Sequence, residues 1–350
     1  MKIIRNSKIL VAFILSQWML AQVVFAEDVN DILGFTKPEQ SLPPEIVKAI
    51  KEAPLTRTIY PVSGEEGFSG QILKADELVF QQDSRLVLRS LEAPWIVIAA
   101  KKWKFLKPSS PTKIERDRYV ATRNGGDGGP GANGANGKGE VNRQGNPGAH
   151  GMPGESGKTG ESMKLPIIYL VAGEITSPDG EPKPGFINLN LIFKGINSGN
   201  GGRGGSGGNG GKGAPGKEGA TSAIDCKEGP GRGGKGGNAG QGGKGGRGGD
   251  GGNGADIVVV STQAGLELFS YANIINIGGL GGSAGVPGRV GVYGAGGRAA
   301  GSNGWCKPGE PGSPGDYLDP VNLGTEGDGI DGGKGTVTAI QVINVNDLFK

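Results

Sequence analysis

Short apolar, β-prone pieces alternate along this chain with long stretches nearly devoid of large apolar side chains. The first apolar group runs from about Phe68 to Phe105. Within it Glu77-Leu-Val-Phe80, Arg85-Leu-Val-Leu88 and Trp95-Ile-Val-Ile-Ala99 are separated by polar turns, a spacing that predicts strands. Further strands are predicted at Leu165 to Val171 with Phe186 to Phe193, and at Ile257 to Val260 with Leu266-Glu-Leu-Phe269 and Ile274 to Ile277. The last is Val337 to Val345. One helix is predicted, Pro44 to Ala53, in which Ile46, Ala49 and Ile50 share a face. The repeated form, an apolar triplet, a turn and another triplet, fits β-solenoid rungs, with a sandwich as the alternative.

The intervening stretches have a period of three. Glycine recurs every third position from Gly125 to Gly137, Gly145 to Gly160, Gly201 to Gly219, Gly231 to Gly252, Gly279 to Gly297 and Gly309 to Gly315. That period matches polyproline-II geometry, three residues per turn, and neither a helix nor a strand. A flexible linker has no reason to hold register this long. A collagen triple helix fits Gly145 to Gly157, but the longer tracts are mostly Gly-Gly-X with little proline, and breaks fall at Gly139 to Gln144 and Thr221 to Glu228. A single-chain bundle accounts for Gly-Gly-X better: two glycine ridges let neighbours approach and exchange backbone hydrogen bonds, while the third faces outward. In the longest tract that ridge carries Arg232, Lys235, Lys244 and Arg247 among Asn238, Gln241, Asp250 and Asn253. The tract from Gly279 has instead an apolar side, Leu280, Val286 and Val292 with Val290 and Tyr293, expected to seal against the strands, or to expose Tyr293 at the far end. The predicted fold class is therefore all-β plus polyproline-II: a β-solenoid-like, or sandwich, framework with glycine-rich polyglycine-II helix bundle excursions.

Composition supports this reading, since 72 glycines in 350 residues is about three times the usual share of 7%. At the N-terminus, Lys2, Arg5 and Lys8 precede an apolar run and a small-residue end at Val24-Phe25-Ala26, the pattern of an export signal cleaved after Ala26. No later segment is long and apolar enough to span a bilayer. The leader holds three of the 37 basic residues and none of the 34 acidic ones, so the mature chain is formally neutral, which gives no support to nucleic-acid binding. After export, Cys226 and Cys306 are expected to form one disulfide, with metal binding disfavoured for want of ligands. The resulting division is a leader at 1–26, a segment at 27–66 with the helix at 44–53, β-rich rungs at 67–120, a Gly-x-x tract at 121–163, a β segment at 164–196, Gly-Gly-x tracts at 197–255, a β segment at 256–278, glycine-rich tracts at 279–335 and a C-terminal β segment at 336–350.

The triplet tracts, their short turns and the cysteine pair resemble the polyglycine sandwiches of phage tail-tip adhesins and the bundles of glycine-rich antifreeze proteins. The leader and interleaved strands are also similar to bacterial secreted glycine-rich proteins described as collagen-like. The adhesin resemblance implies recognition by loops at the bundle tip, here the breaks around Thr221 to Glu228 and Trp305 to Tyr317. Catalytic constellations are missing: His150 is the one histidine, Gly154-Glu-Ser-Gly-Lys-Thr159 lacks the first glycine of a phosphate loop, and Asp328-Gly-Ile-Asp-Gly-Gly is only a partial calcium-turn motif. The expectation is a non-enzymatic, cofactor-free, exported scaffold, a monomer with a trimer kept open. It would recognise a glycan, envelope or host surface molecule through Arg232, Lys235, Lys244, Arg247, Tyr293, Trp305 and Tyr317. A structural matrix or coat protein and an ice-binding protein are the alternatives.

Overall fold

The continuous runs Trp95-Ile-Val-Ile-Ala-Ala and Ile257-Val-Val-Val-Ser contain no polar alternation, which is the pattern of parallel strands covered on both faces. A computed structural model describes residues 41–107, 109–177, 188–302, 304–318 and 324–350. The leader at 1–26, the chain from there to residue 40, and Phe186 and Ile187 of one predicted strand lie outside the described residues. In chain order the strands are β1 (Arg57–Val62), β2 (Glu65–Phe68), β3 (Ile72–Phe80), β4 (Arg85–Leu88), β5 (Trp95–Phe105), β6 (Thr112–Arg116), β7 (Glu140–Val141), β8 (Gln144–Gly145), β9 (Ile167–Thr176), β10 (Leu189–Ile192), β11 (Ala220–Thr221), β12 (Cys226–Glu228), β13 (Ile257–Ser261), β14 (Asn273–Ile275) and β15 (Val337–Gln341).

Two parallel sheets hold most of them. One has six strands in the order β1-β3-β5-β9-β13-β15, the other five in the order β14-β10-β6-β4-β2, so the chain crosses from one sheet to the other at each step. The register is continuous across the glycine stretches: Trp95 pairs with Ile167, Ile168 with Ile257, and Ile257 with Val337. Between the sheets lies the larger core, where Phe80, Trp103 and Phe105 are fully buried with Ile98, Leu170 and Leu191. The Trp103 indole N–H, which would be costly to bury alone, donates to the Val171 carbonyl at 3.1 Å. On the opposite face of the six-stranded sheet, Ile46 and Ile50 of helix α1 (Pro44–Glu52) pack with Val97, Val171, Val258, Val260 and Ile340. Burying each such side chain contributes roughly 1.5–3 kcal/mol. Lys74 closes the end of α1, its Nζ donating to the carbonyls of Lys51 and Ala53 at 3.2 and 2.9 Å. Burial there pulls its ammonium pKa down.

This architecture corrects the expected fold class. The framework is an α/β-like arrangement of two large parallel sheets with few helices, and not a solenoid or a polyproline-II bundle. The physical reason lies in the apolar runs: strands buried on both faces need a cover on each side, supplied by α1 with the C-terminal 3-10 turn Val345–Leu348 on one face and by the second sheet on the other. A second correction concerns Leu266 to Phe269, expected as a strand. It belongs to helix α2 (Gln263–Phe269), whose N-cap Thr262 accepts from Gly265 N–H through its hydroxyl at 3.3 Å while Leu266 and Phe269 turn into the core at helical spacing.

The glycine stretches form three out-and-back excursions, leaving after β6, β10 and β14 and returning to β9, β13 and β15. Their segments are joined by backbone bonds at triplet spacing. Gly125, Gly128 and Gly131 donate to the carbonyls of Asn200, Arg203 and Ser206 at 2.7–2.8 Å, and Gly282, Gly285 and Gly288 donate to Gly249, Gly246 and Gly243, each at 2.8 Å. Asparagine and aspartate side chains accept from several of the outward N–H groups at constant offsets. Asn124, Asp127, Asn133 and Asn136 accept from residues 76 positions later, and Asn197, Asn200 and Asn209 from residues 83 positions later, all at 2.8–2.9 Å. The segments lie so close that a Cβ at Gly243 would overlap the Glu155 carbonyl oxygen. The apolar side of the third excursion does not seal against the sheets: Leu280, Val286 and Val292 are 56–65% exposed. The Ser198, Gly204 and Gly210 N–H groups hold this segment through its backbone carbonyls, which leaves these side chains facing out.

Candidate recognition site at the turns of the excursions

Where the triplet register breaks, the chain must reverse, and the three reversals meet. The first is a two-residue hairpin between β7 and β8, with Asn142 and Arg143 both at positive φ (49° and 70°), as a type I′ turn demands. Asparagine tolerates that region; arginine does so only at a cost of about 1 kcal/mol. Its side chain offsets the strain: the guanidinium pairs with the Glu228 carboxylate and donates to the carbonyls of Gly229 (3.0 Å) and Glu218 (2.6 Å), fastening the first turn to the second. The second reversal is the β11–β12 hairpin, tightened by Ser222 and Asp225, where Ser222 N–H donates to Asp225 O at 2.7 Å. The third contains Gly304 at φ 58°.

Cys226 and Cys306 are joined across the second and third turns, their Cα atoms 4.8 Å apart. Closing a loop of this separation, 80 residues, removes on the order of 4 kcal/mol of unfolded-chain entropy. Beside the disulfide, Trp305 donates its indole N–H to the Ala223 carbonyl at 3.1 Å yet stays 64% exposed, so its ring is anchored at one edge and open on its face. A shallow open cleft of about 770 Å³ results, lined among others by Arg143, Gln144, Arg232, Trp305, Lys307 and Glu310.

No protein-family model matches the chain, and no curated protein does. Among solved structures it is similar to a springtail antifreeze protein from Granisotoma rainieri, a nine polyproline type II helical bundle, with 21% identity over 54% of this chain and 94% of that one. The TM-score is 0.08, too low to carry an argument about fold or function.

The cleft collects only two of the residues that the sequence nominates for binding, Arg232 and Trp305. Tyr317 and Tyr293, 70% and 42% exposed, lie outside its lining. They belong two triplets inward, where Gly315 N–H donates to Gly294 O and Gly294 N–H to Gly237 O. The basic ridge is largely neutralised by neighbours. Lys235 pairs with Asp316 at 3.1 Å and Arg247 with Asp250 at 2.6 Å, and each partner holds its carboxyl below the usual range through that hydrogen bond. Lys244 makes no ion pair among the described residues. Sequence reasoning passed over Arg143 and Lys307. The signal for Arg143 was present in the break at Gly139 to Gln144, where a hairpin places an arginine in a position that glycine normally takes. His150 has a structural use: its Nδ1 accepts from Asn238 N–H at 2.8 Å. Among the described residues no helix is long and apolar enough to cross a membrane.

Proposed function

We propose that the chain is an exported, non-catalytic scaffold that recognises a surface molecule through the joined turns of its three excursions. The observation carrying this reading is the exposed, anchored Trp305 at a disulfide-fastened junction of three turns, built far along the chain from the packed sheets. Large aromatic side chains dominate contact energy at interfaces, and a ring held in place loses little entropy on binding. A disulfide between the turns supports residence in an oxidising compartment. The neutralised ridge serves packing and solubility, which shifts recognition from the ridge to the turns. The test compares parent protein, Trp305→Ala, and a ridge variant with Lys235, Lys244 and Arg247 changed to glutamine for retention on whole-cell envelope preparations. Retention lost with Trp305→Ala and kept by the ridge variant supports the proposal. Retention that follows the ridge, or none by the parent, favours a structural coat component.

A further inference from the structure

We infer that the cleft at the turns takes an acidic saccharide, stacked on Trp305 and held through its anionic groups by Lys307 and Arg232. The inference rests on the recognition reading above and names its ligand. Three features of the cleft converge on this chemistry. Its aromatic platform is a fixed ring with an open face, the surface that the apolar face of a pyranose covers; the indole N–H is already spent on Ala223, so the ring offers area and not a hydrogen bond. Its lining is basic, with Arg143, Arg232 and Lys307 against Glu310 alone.

Those three cations are not equivalent, which settles which of them meet the ligand. Arg143 is committed to Glu228 and two carbonyls and acts as a post that positions the first turn. Lys307 is exposed and makes no ion pair among the described residues. Arg232 meets Glu310 at 3.8 Å, with both side chains more than half exposed, and its Nε donates to the Pro311 carbonyl at a long 3.4 Å; such an exposed pair contributes at most about 1 kcal/mol and yields readily to a better-placed carboxylate or sulfate. The cleft is also open and shallow, which suits an extended chain of sugars and not an enclosed small molecule.

The experiment is a glycan array carrying uronate-containing, sialylated, sulfated and neutral oligosaccharides, followed by calorimetric titration of whichever probes bind, on the disulfide-intact protein. Acidic probes should be retained over neutral ones of the same backbone. Trp305→Ala should weaken them about 30-fold or more, the loss of one interfacial hot spot, and Trp305→Phe should restore part of that loss, which a merely misfolded tip would not. Lys307→Gln and Arg232→Gln should each weaken binding and flatten its dependence on salt, whereas Lys244→Gln on the ridge should leave it unchanged. Neutral probes bound as tightly as acidic ones, or acidic probes bound equally by Trp305→Ala, overturn the inference. So does a parent protein that adheres to envelope preparations but to no oligosaccharide, and in that case the recognition reading survives. A parent that binds neither array nor envelope removes both.

Discussion

Tyr60, on the edge strand β1, donates its hydroxyl to Glu66 at 3.1 Å with the ring 4% exposed. Burial first, and the Glu66 charge second, push its pKa up to about 12. The protonated phenol is therefore favoured by folding. Its contribution is fully present below the unfolded value near 10 and is lost as pH rises from there through about 12. Phenolate absorbance should show a tyrosine ionising only near pH 12 that is missing from Tyr60→Phe, with resistance to urea falling across that interval and the variant removing this part of the fall. An absorbance curve that Tyr60→Phe leaves unchanged near pH 12 while the protein stays folded would contradict it. The glycines give a second residue-scale expectation. Gly243→Ala forces a Cβ onto the Glu155 carbonyl and should destabilise by about 1–3 kcal/mol through overpacking. Gly229→Ala meets nothing within 4 Å and should cost far less. Paired denaturant midpoints check this, and equal midpoints for the two variants would sink it.

At the scale of elements, what the sequence reveals depends on whether the partner is near or far. Ile46 and Ile50 share a helical face, and both are buried on α1. The triplet register marks which glycines must approach a neighbour, because a period needs no knowledge of the partner. Fold class is not legible locally, because the parallel pairings of β5 with β9, β9 with β13 and β13 with β15 span glycine stretches and leave no local trace. Short apolar triplets looked like solenoid rungs, while the runs at Ile96 to Ala100 and Val258 to Val260 instead bury both sheet faces. Leu266 to Phe269 was ambiguous for a different reason. Four residues with apolar ends satisfy either period, and the deciding feature was the capping hydroxyl of Thr262. The exposed Leu280, Val286 and Val292 show that side-chain apolarity does not choose the outward ridge when backbone bonds do.

For the whole molecule, the sheets and the excursions form one system. Parallel strands in fixed register start each excursion beside the last, so asparagine contacts repeat at offsets of 76 and then 83 residues, and the three reversals arrive together. Only at that junction do Arg143, Arg232, Trp305 and Lys307, distant in sequence, share a cleft. Recognition by the junction thus depends on its fasteners, chiefly the Cys226–Cys306 bond and the Arg143 post. The most direct measurement is surface binding by the oxidised protein and by the Cys226→Ser, Cys306→Ser double variant, with amide hydrogen exchange followed on both. The account predicts that the variant loses protection at residues 220–231 and 304–310 and binds at least about tenfold more weakly, while amides of β5, β9 and β13 exchange as slowly as before. Unchanged binding by a variant whose turns have demonstrably loosened would contradict it.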